Sequence, residues 1–419
     1  MMENVKKEYK LEPDSELRFE IESKSKKITI ELKSGLAELF GTELVVNKKY
    51  TFSGTSVAVI TWQGCTIEVE GDPDIIYTSK ESPMTLYLNC HAVLERLREL
   101  SERKNEKGPI TMIAGPCDVG KSTLSRMLVN YAIRMNKSPI YVNLDVGQAE
   151  FGLPGSVGAV IPKNPASVEG GFTEEAPLLF HFGSSSPLCN QTFYKLLTSR
   201  LAQVCNERMR LNRNERHSGI IINTCGCTKG DGYRILIHAA YAFEVDAILV
   251  IDQQQLYNDL LRDMPKFVKV SLLPKSSGVI KRNETQRAES RNSLIHNYFY
   301  GIPKAQLHPF KIELKFEDIS IYRVTISAGF SSNMTVAKKS PDTTLMPVKP
   351  IPNMKNRLLS VSLAKLNQDD IVESNISGFL HVQDVNMHEK IMTVLSPEPK
   401  LTKNLVLLLS EVRYWNDNE

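Results

Sequence analysis

The chain has 419 residues, enough for roughly two or three domains with separate cores. Its 42% hydrophobic and 24% charged residues are ordinary for a soluble globular protein, and a formal net charge of +3 excludes a general polyanion binder. No apolar run approaches the ~20 residues of a membrane span, and we expect neither a membrane segment nor a signal peptide.

The first domain, residues 1–100, is predicted to be all-β. Apolar and polar residues alternate over 16–22 and 27–32, and a further short strand covers 57–62. Glycines separate the short strands. The pattern predicts a sandwich or barrel of about eight strands, followed by a helix over 91–104.

The most informative motif follows this helix. Residues 115–123 fit the phosphate-binding pattern G-x-x-x-x-G-K-[ST] at every fixed position, after an apolar strand and before a helix. A glycine-rich structural turn is the alternative interpretation, and the flanking elements favour nucleotide binding. Its predicted nucleotide-binding residues are Gly115, Asp118, Val119, Gly120, Lys121, Ser122 and Thr123.

Strands and helices then alternate through the second domain, residues 101–301. The predicted strands are short and apolar, which is typical of parallel strands buried on both faces: 110–114, 140–144, 219–223, 247–251 and 267–272. Helices are predicted at 192–207, 231–243 and 253–263. The pattern predicts a doubly wound α/β domain that binds ligands at the carboxyl ends of its strands.

The third domain, residues 302–419, is predicted to be small and mainly β. Strands are predicted at 311–316 and 319–326, and four prolines favour a long irregular connection over 340–356.

Polar residues at the ends of the predicted strands are candidates for chemistry. Asp145 ends the second strand, where an aspartate binds Mg²⁺ or accepts the proton of an attacking hydroxyl, although it also suits a turn cap. Asp252 is a weaker rival. Asn223 and Thr224 end a third strand on the same edge, where they would contact a substrate.

Three arginines are candidates for stabilising a transferring phosphoryl group. Arg287 and Arg291 are four residues apart and share one helix face, and Arg282 lies just upstream. A solvated surface helix explains the same composition equally well. Gln148, Ser156 and the 183–186 loop also allow two interpretations: they bind a substrate, or they only form turns.

The seven cysteines are scattered and odd in number, which predicts a reducing compartment without separating nucleus from cytosol. Cys225 and Cys227 form half of a metal-binding pattern. No second pair follows at ligand spacing, so buried free thiols are the favoured interpretation.

Taken together, these motifs resemble those of the eukaryotic polyribonucleotide 5′-hydroxyl kinases that are subunits of pre-mRNA cleavage factor II. The similar stretches span essentially the whole chain: 16–20, 37–44, 115–123, 144–148, 180–183, 222–226, 242–246 and 298–301. The resemblance implies a β-rich domain, a central P-loop kinase domain and a small carboxyl-terminal domain. It also implies ATP- and Mg²⁺-dependent phosphorylation of RNA 5′-hydroxyl ends.

The resemblance assigns roles by position. Lys121, Ser122 and Asp145 match the phosphate-loop and Mg²⁺-or-base positions, and Arg282, Arg287 and Arg291 match a lid. The implied RNA-binding positions are Gln148, Ser185, Thr224 and Cys227, and the adenine-side positions are Glu16, Phe40 and Ser56. The implied partners are 3′-end cleavage factors and the tRNA-splicing endonuclease, in the nucleus.

One position departs from the family pattern. Family members read Thr-x-Gly-Trp where this chain has Thr224-Cys225-Gly226-Cys227. Loss of base–aromatic stacking removes roughly 1–3 kcal/mol. We therefore expect nucleotide binding to survive and RNA turnover to be weaker or altered in specificity.

Two classes of function follow from the sequence. The first is an RNA 5′-hydroxyl kinase. The second is a scaffold that holds ATP as a structural ligand without turnover. A GTPase is disfavoured, because no Asn-Lys-x-Asp stretch is present to bind guanine.

Overall fold

The computed structural model describes residues 6–172, 176–302, 305–326, 338–340, 343–365, 370–402 and 404–415. Within these ranges, no helix combines the length and the apolar composition that crossing a bilayer requires.

The amino-terminal domain is a sandwich of two antiparallel sheets. Its strands are β1 Lys6–Leu11, β2 Ser15–Glu20, β3 Ile28–Gly35, β4 Glu38–Leu39, β5 Thr42–Glu43, β6 Lys49–Phe52, β7 Ser56–Thr61, β8 Cys65–Glu70 and β9 Ile75–Ser79. One sheet has the order β1-β8-β3-β6 and the other β5-β4-β7-β2-β9. Apolar residues such as Phe19 and Ile30 are fully buried between them. The predicted all-β domain is confirmed, as a sandwich.

The long helix α1, Met84–Lys104, leads into the central α/β domain. The elements that follow are β10 Ile110–Ala114, α2 Lys121–Arg134, β11 Ile140–Asn143, β12 Ser156–Val160, β13 Leu178–His181, α3 Gln191–Leu211, α4 Arg213–Ser218, β14 Ile220–Asn223, α5 Asp231–Phe243, β15 Ala247–Ile251, α6 Gln254–Asp263, β16 Lys269–Leu273 and α7 Glu284–Tyr300.

Five of these strands form a parallel sheet in the order β16-β15-β10-β14-β11. Strand β10 lies between β14 and β15, so the chain leaves β10 and passes over β14 to reach β11. The carboxyl end of β10 is therefore next to a topological switch point, where open α/β sheets bind ligands. The confirmed fold class places the phosphate loop at this end.

Most of the carboxyl-terminal strands continue the central sheet, whereas the first two pair with each other in a separate two-stranded sheet. The strands are β17 Gly301–Ile302, β18 Ala305–Gln306, β19 Phe310–Lys315, β20 Ile319–Ile326, β21 Lys338–Ser340, β22 Thr343–Pro347, β23 Arg357–Ser362, β24 Asn375–Asn386, β25 Ile391–Ser396 and β26 Leu405–Arg413. Antiparallel β12 and β13 extend the central sheet from β11, and β13 pairs with β24 through Leu179 and Phe180. Strand β24 also pairs with β23 and β25, so one continuous sheet extends from the central domain into the carboxyl-terminal domain.

Most predicted elements agree with the observed ones. The five parallel strands lie within two residues of their predicted ranges, and α5 covers the predicted residues. Helix α1 begins at Met84 rather than at residue 91. The irregular connection over 340–356 is wrong in part, because Thr343–Pro347 forms β22 against β20, while residues 341–342 lie outside the described residues.

Helix α1 is connected to the central domain by a buried arginine. Arg98 is 1% exposed, and its guanidinium donates to the Ser218 carbonyl oxygen at 2.9 Å and to Glu95 Oε2 at 3.2 Å. On the same helix, the Tyr87 hydroxyl donates to the carbonyl oxygen of Pro274 at 2.7 Å. Pro274 lies on the segment that leads to Arg282, the first arginine of the predicted lid. The helix therefore positions the lid segment relative to the sheet.

We predict that Arg98→Ala lowers the free energy of unfolding by about 2–3 kcal/mol, because it removes the donor to the Ser218 carbonyl oxygen and leaves the buried Glu95 carboxylate with a longer ion pair, to Lys137 at 3.8 Å. Arg96→Ala, on the exposed face of the same helix, should change it by less than about 0.5 kcal/mol. Urea denaturation followed by circular dichroism measures both values. Equal losses in the two variants would contradict a specific role for Arg98.

Candidate nucleotide site

The phosphate loop connects β10 to α2 and depends on its glycines. Gly115 has a φ of +152°, and a Cβ there would lie 2.8 Å from the Ile251 carbonyl oxygen, so the neighbouring strand excludes any side chain. Gly120 has a φ of +92° and caps α2. The first N–H groups of α2 therefore face the loop, where an anion can accept them.

Lys121 is held inside this loop. The residue is 7% exposed, and its ammonium donates to the Pro116 carbonyl oxygen at 2.6 Å. Burial lowers the pKa of Lys121, and the nearby Asp145 carboxylate opposes that shift. The enclosed ammonium is placed to bind phosphate oxygens.

Asp145 lies two residues after β11 on the same edge of the sheet. Its Oδ1 accepts the backbone N–H groups of Gly147 at 2.9 Å and Gln148 at 3.1 Å. No hydrogen bond from the residues that the structure describes reaches Oδ2. Burial raises the pKa of Asp145, and the two N–H groups and the Lys121 charge oppose this rise. A carboxylate in this state can accept a proton or bind a cation through Oδ2.

An amide network connects the ends of two strands to the phosphate loop. Asn143 and Asn223 are partners in the β11–β14 pairing, so their side chains are aligned. Asn223 Nδ2 donates to Asn143 Oδ1 at 2.9 Å and to Ser122 Oγ at 3.1 Å. Asn223 Oδ1 is buried and has no hydrogen-bond partner within the described part of the chain. An unpartnered buried oxygen beside the Ser122 hydroxyl fits a cation or its bound water.

Two lid arginines converge on the phosphate loop. Arg282 donates from its backbone N–H to Asp118 Oδ2 at 3.0 Å and from Nε to Oδ1 at 3.2 Å. Arg287 Nη2 donates to Asp118 Oδ2 at 2.5 Å, and Arg282 Nη1 donates to Gln148 Oε1 at 2.9 Å. These contacts favour the lid over the solvated surface helix for both arginines.

Arg291 lies one turn further along α7 and is half-buried. Burial, and secondarily the charge of Arg287, lowers the pKa of Arg291. Unlike Arg282 and Arg287, it does not line the cleft over the phosphate loop.

The amino-terminal sandwich forms the opposite wall of a cleft of about 1640 Å³ over the phosphate loop. Glu16, Phe40 and Ser56 line it from the sandwich. Phe40 has a φ of +49°, and its carbonyl oxygen accepts from Asn130 Nδ2 on α2 at 2.8 Å. The cleft therefore brings the predicted adenine-side residues and the phosphate loop together.

Glu16 is buried and bonded within the protein. It accepts from Arg18 Nε at 2.6 Å and from the Ser82 hydroxyl. Arg18 in turn donates through Nη1 to Ser277 Oγ at 2.6 Å, beside the lid. Glu16 thus shapes the wall of the cleft through Arg18.

The four predicted RNA-binding residues occupy different environments. Gln148 lines the cleft, and its Nε2 is buried without a partner among the described residues. Ser185 is exposed, and its carbonyl packs against Gly147 in the loop after Asp145. Thr224 is buried, and its hydroxyl donates to the Ile113 carbonyl oxygen at 2.7 Å, so it fixes the strand end. Cys227 is half-buried beside the phosphate loop.

Sequence reasoning missed two features of this site. The first is Asn143. It is the last residue of an apolar strand, and a polar residue at a strand end is the signal that could have identified it. The second is the pairing of Asp118 with the lid arginines. No local sequence pattern could predict it, because 164 residues separate Asp118 from Arg282. Asp252, the rival of Asp145, does not line the cleft.

The fold and this site define a P-loop nucleotide-binding protein. Residues 115–301 match the family described as mRNA cleavage and polyadenylation factor CLP1 P-loop, residues 10–101 its N-terminal beta-sandwich domain, and residues 307–416 pre-mRNA cleavage complex II protein Clp1. The chain is 46% identical to the CLP1 homolog of Culex quinquefasciatus, over 99% of both chains. It is equally 46% identical to that of Drosophila melanogaster, over 100% of both. The chain belongs to the CLP1 family.

Solved structures of Clp1p share the fold. One, of wild-type Clp1p in complex with Pcf11p, has a TM-score of 0.85 at 24% identity and covers 98% of this chain and 99% of its own. Another, described by the extended Pcf11p–Clp1p interface and ATP loss in a point mutant, has a TM-score of 0.86 at 23% identity, with the same coverage. The similarity extends through all three parts of the chain.

We predict that Asp118→Asn loosens the lid, because it removes the charge that holds Arg282 and Arg287. A loss of about 1–2 kcal/mol corresponds to roughly 5- to 30-fold faster hydrogen exchange of the amides in residues 282–291. Glu289→Gln, exposed on α7, should leave these rates unchanged. Unaltered exchange in Asp118→Asn would mean that other contacts hold the lid.

Proposed function

We propose that this protein transfers the γ-phosphate of ATP to the 5′-hydroxyl end of RNA. The observation that carries the proposal is the convergence of Lys121, Asp145, Arg282 and Arg287 on one cleft. Phosphoryl transfer requires a phosphate cradle, cations against the developing charge, and an acceptor for the hydroxyl proton. Each of these parts has a matching residue.

The residues divide the work by position. Lys121 binds the β- and γ-phosphates from within the loop, and Arg282 and Arg287 bind the γ-phosphate from the lid. Asp145 has two alternative roles, as a Mg²⁺ ligand or as the acceptor of the proton of the attacking hydroxyl, and its raised pKa favours the second role. Glu16, Phe40 and Ser56 form the side of the cleft that takes the adenine.

The donor set fits Mg²⁺. The Ser122 hydroxyl, Asp145 Oδ2 and the unpartnered Asn223 Oδ1 are the hard oxygen donors that this ion prefers. Ser122 and Asp145 would hold it, with Asn223 orienting Ser122. When bound, Mg²⁺ supplies positive charge against the phosphates.

We assign the acceptor side of the site to Gln148, which lines the cleft, and to Ser185, Thr224 and Cys227, which are outside its lining. Gln148 offers a buried N–H group, and Ser185 lies on the loop beside Asp145. Cys227 cannot stack on a base as an aromatic side chain does, so we propose weaker RNA turnover than in relatives with Trp.

Family membership supports a place in mRNA 3′-end processing. A relative of this fold was solved with Pcf11p, and we propose a subunit of that kind as a partner. We extend the proposal to the tRNA-splicing endonuclease and to a nuclear location, the setting of these reactions.

The alternative function is an ATP-bound scaffold without turnover. The observation that favours it is the position of the cleft between two domains, where bound ATP would contact both and stabilise their arrangement. Retention of unhydrolysed ATP through purification, with no transfer to RNA, would support the scaffold and contradict the kinase.

We predict that Lys121→Ala lowers transfer of label from γ-labelled ATP to a 5′-hydroxyl oligoribonucleotide by at least about 100-fold, because it removes a buried cation at the phosphates. Lys104→Ala, exposed at the end of α1, serves as the control and should retain full activity. The assay includes Mg²⁺. Absence of transfer by the wild-type chain would refute the proposed kinase activity.

We predict that Cys227→Trp raises kcat/KM for RNA by about 5- to 150-fold, the factor that corresponds to the 1–3 kcal/mol of stacking. The KM for ATP should stay unchanged, since the stacking involves the acceptor. Cys227→Ser, similar in size, should show no gain. An equal response of Trp and Ser variants would exclude stacking as the cause.

A further inference from the structure

The two cysteines after β14 are separated by one residue, Gly226, and lie in different environments. The electrostatics of the pair lower the pKa of Cys227, with the Cys225 side chain as the main cause. Cys225 is 6% exposed, whereas Cys227 is half-buried. One thiol of the pair is therefore reachable from solvent and the other is buried behind it.

The spacing of the pair permits a disulfide. Two residues of extended chain keep the Cα atoms within about 7 Å, near the upper limit of disulfide geometry. Gly226 lies between them and carries no side chain to oppose the bend. Among the described residues no group of three or more Cys, His, Asp and Glu side chains could hold a metal ion, so a zinc site does not account for the pair.

The residue between the two cysteines packs on the phosphate loop. A Cβ on Gly226 would lie 2.3 Å from Cys117 Sγ and 2.7 Å from the Cys117 backbone nitrogen. The Thr224 hydroxyl holds the other end of the segment on the Ile113 carbonyl. Any contraction of the 225–227 segment therefore displaces backbone that packs directly on the loop.

We propose that Cys225 and Cys227 are a redox-sensitive dithiol, oxidised by hydrogen peroxide to an intramolecular disulfide that weakens nucleotide binding at the adjacent phosphate loop. The Cys227 thiolate attacks the peroxide oxygen, which gives a sulfenic acid and releases one water after protonation. The Cys225 thiol then attacks that sulfur, forming the S–S bond and releasing a second water. Two thiols are oxidised and one peroxide is reduced.

The chemistry is testable without any nucleotide. The reduced full-length chain is treated with hydrogen peroxide, alkylated and digested with trypsin, which yields residues 217–229 with both cysteines and residues 108–121 with Cys117. We expect peptide 217–229 without alkylation and two hydrogens lighter, while Cys117 remains alkylated. A cross-link between the two peptides, or two alkylated cysteines in 217–229, would overturn the assignment.

The link to nucleotide binding is measured separately, by calorimetry with ATP on the reduced and oxidised chain. We expect affinity to fall by about 5- to 150-fold on oxidation, and ATP to shift the disulfide equilibrium in a glutathione buffer by the same factor. This readout rests on nucleotide binding and not on transfer to RNA, so failure of the proposed kinase leaves it intact. Equal ATP affinity in both redox states would refute the coupling.

Variants locate the effect. Cys225→Ser should abolish the response of ATP affinity to peroxide. Cys227→Ser should abolish it too, and this variant serves as the test if Cys225→Ser does not fold. Cys189→Ser, an exposed cysteine outside the pair, should respond as the wild-type chain does. A response that persists without Cys225 and Cys227 would assign the oxidation to another thiol.

Discussion

The buried Glu16–Arg18 ion pair is the contact on which the geometry of the cleft depends. Both side chains are 4% exposed, so their charges interact with little solvent screening. Arg18 reaches Ser277 and packs against Gly278, the residues that precede the lid. An amino-terminal sandwich, far from the phosphate loop in sequence, thereby fixes the start of the lid.

A second set of contacts holds the sandwich to the helix of the phosphate loop. Glu38 is 4% exposed and accepts from the Tyr131 hydroxyl and from Arg134 Nη1 on α2, the latter at 2.6 Å. Asn130, on the same helix, fixes the Phe40 backbone. The sandwich is thus connected to both sides of the cleft, to α2 below and the lid above. Since a nucleotide would lie between these contacts, its binding and the domain arrangement are energetically coupled.

The sequence predicted the parts of this site that depend on local pattern. The strand–loop–helix around Lys121 and the carboxylate after an apolar strand both follow from spacing and from the edge that parallel strands share. Strands β12 and β13 were missed, and the glycine within β12 resembles a strand breaker. A Cβ on Gly158 would lie 2.3 Å from the Leu178 carbonyl oxygen, so tight strand packing selects glycine there. No local pattern carries that information.

Tertiary contacts also determine which residues of a motif act together, and such contacts cannot be predicted from the spacing of residues in the sequence. Asp118 stands in the phosphate loop as an acidic residue where a phosphate would bring further negative charge. Its pairing with Arg282 and Arg287 makes the position favourable, because the two cations outnumber its single charge. The remaining positive charge is available to a phosphate. A lid that reaches the loop through Asp118 is therefore already placed for a nucleotide, and phosphate oxygens need only compete for arginines that lie within reach.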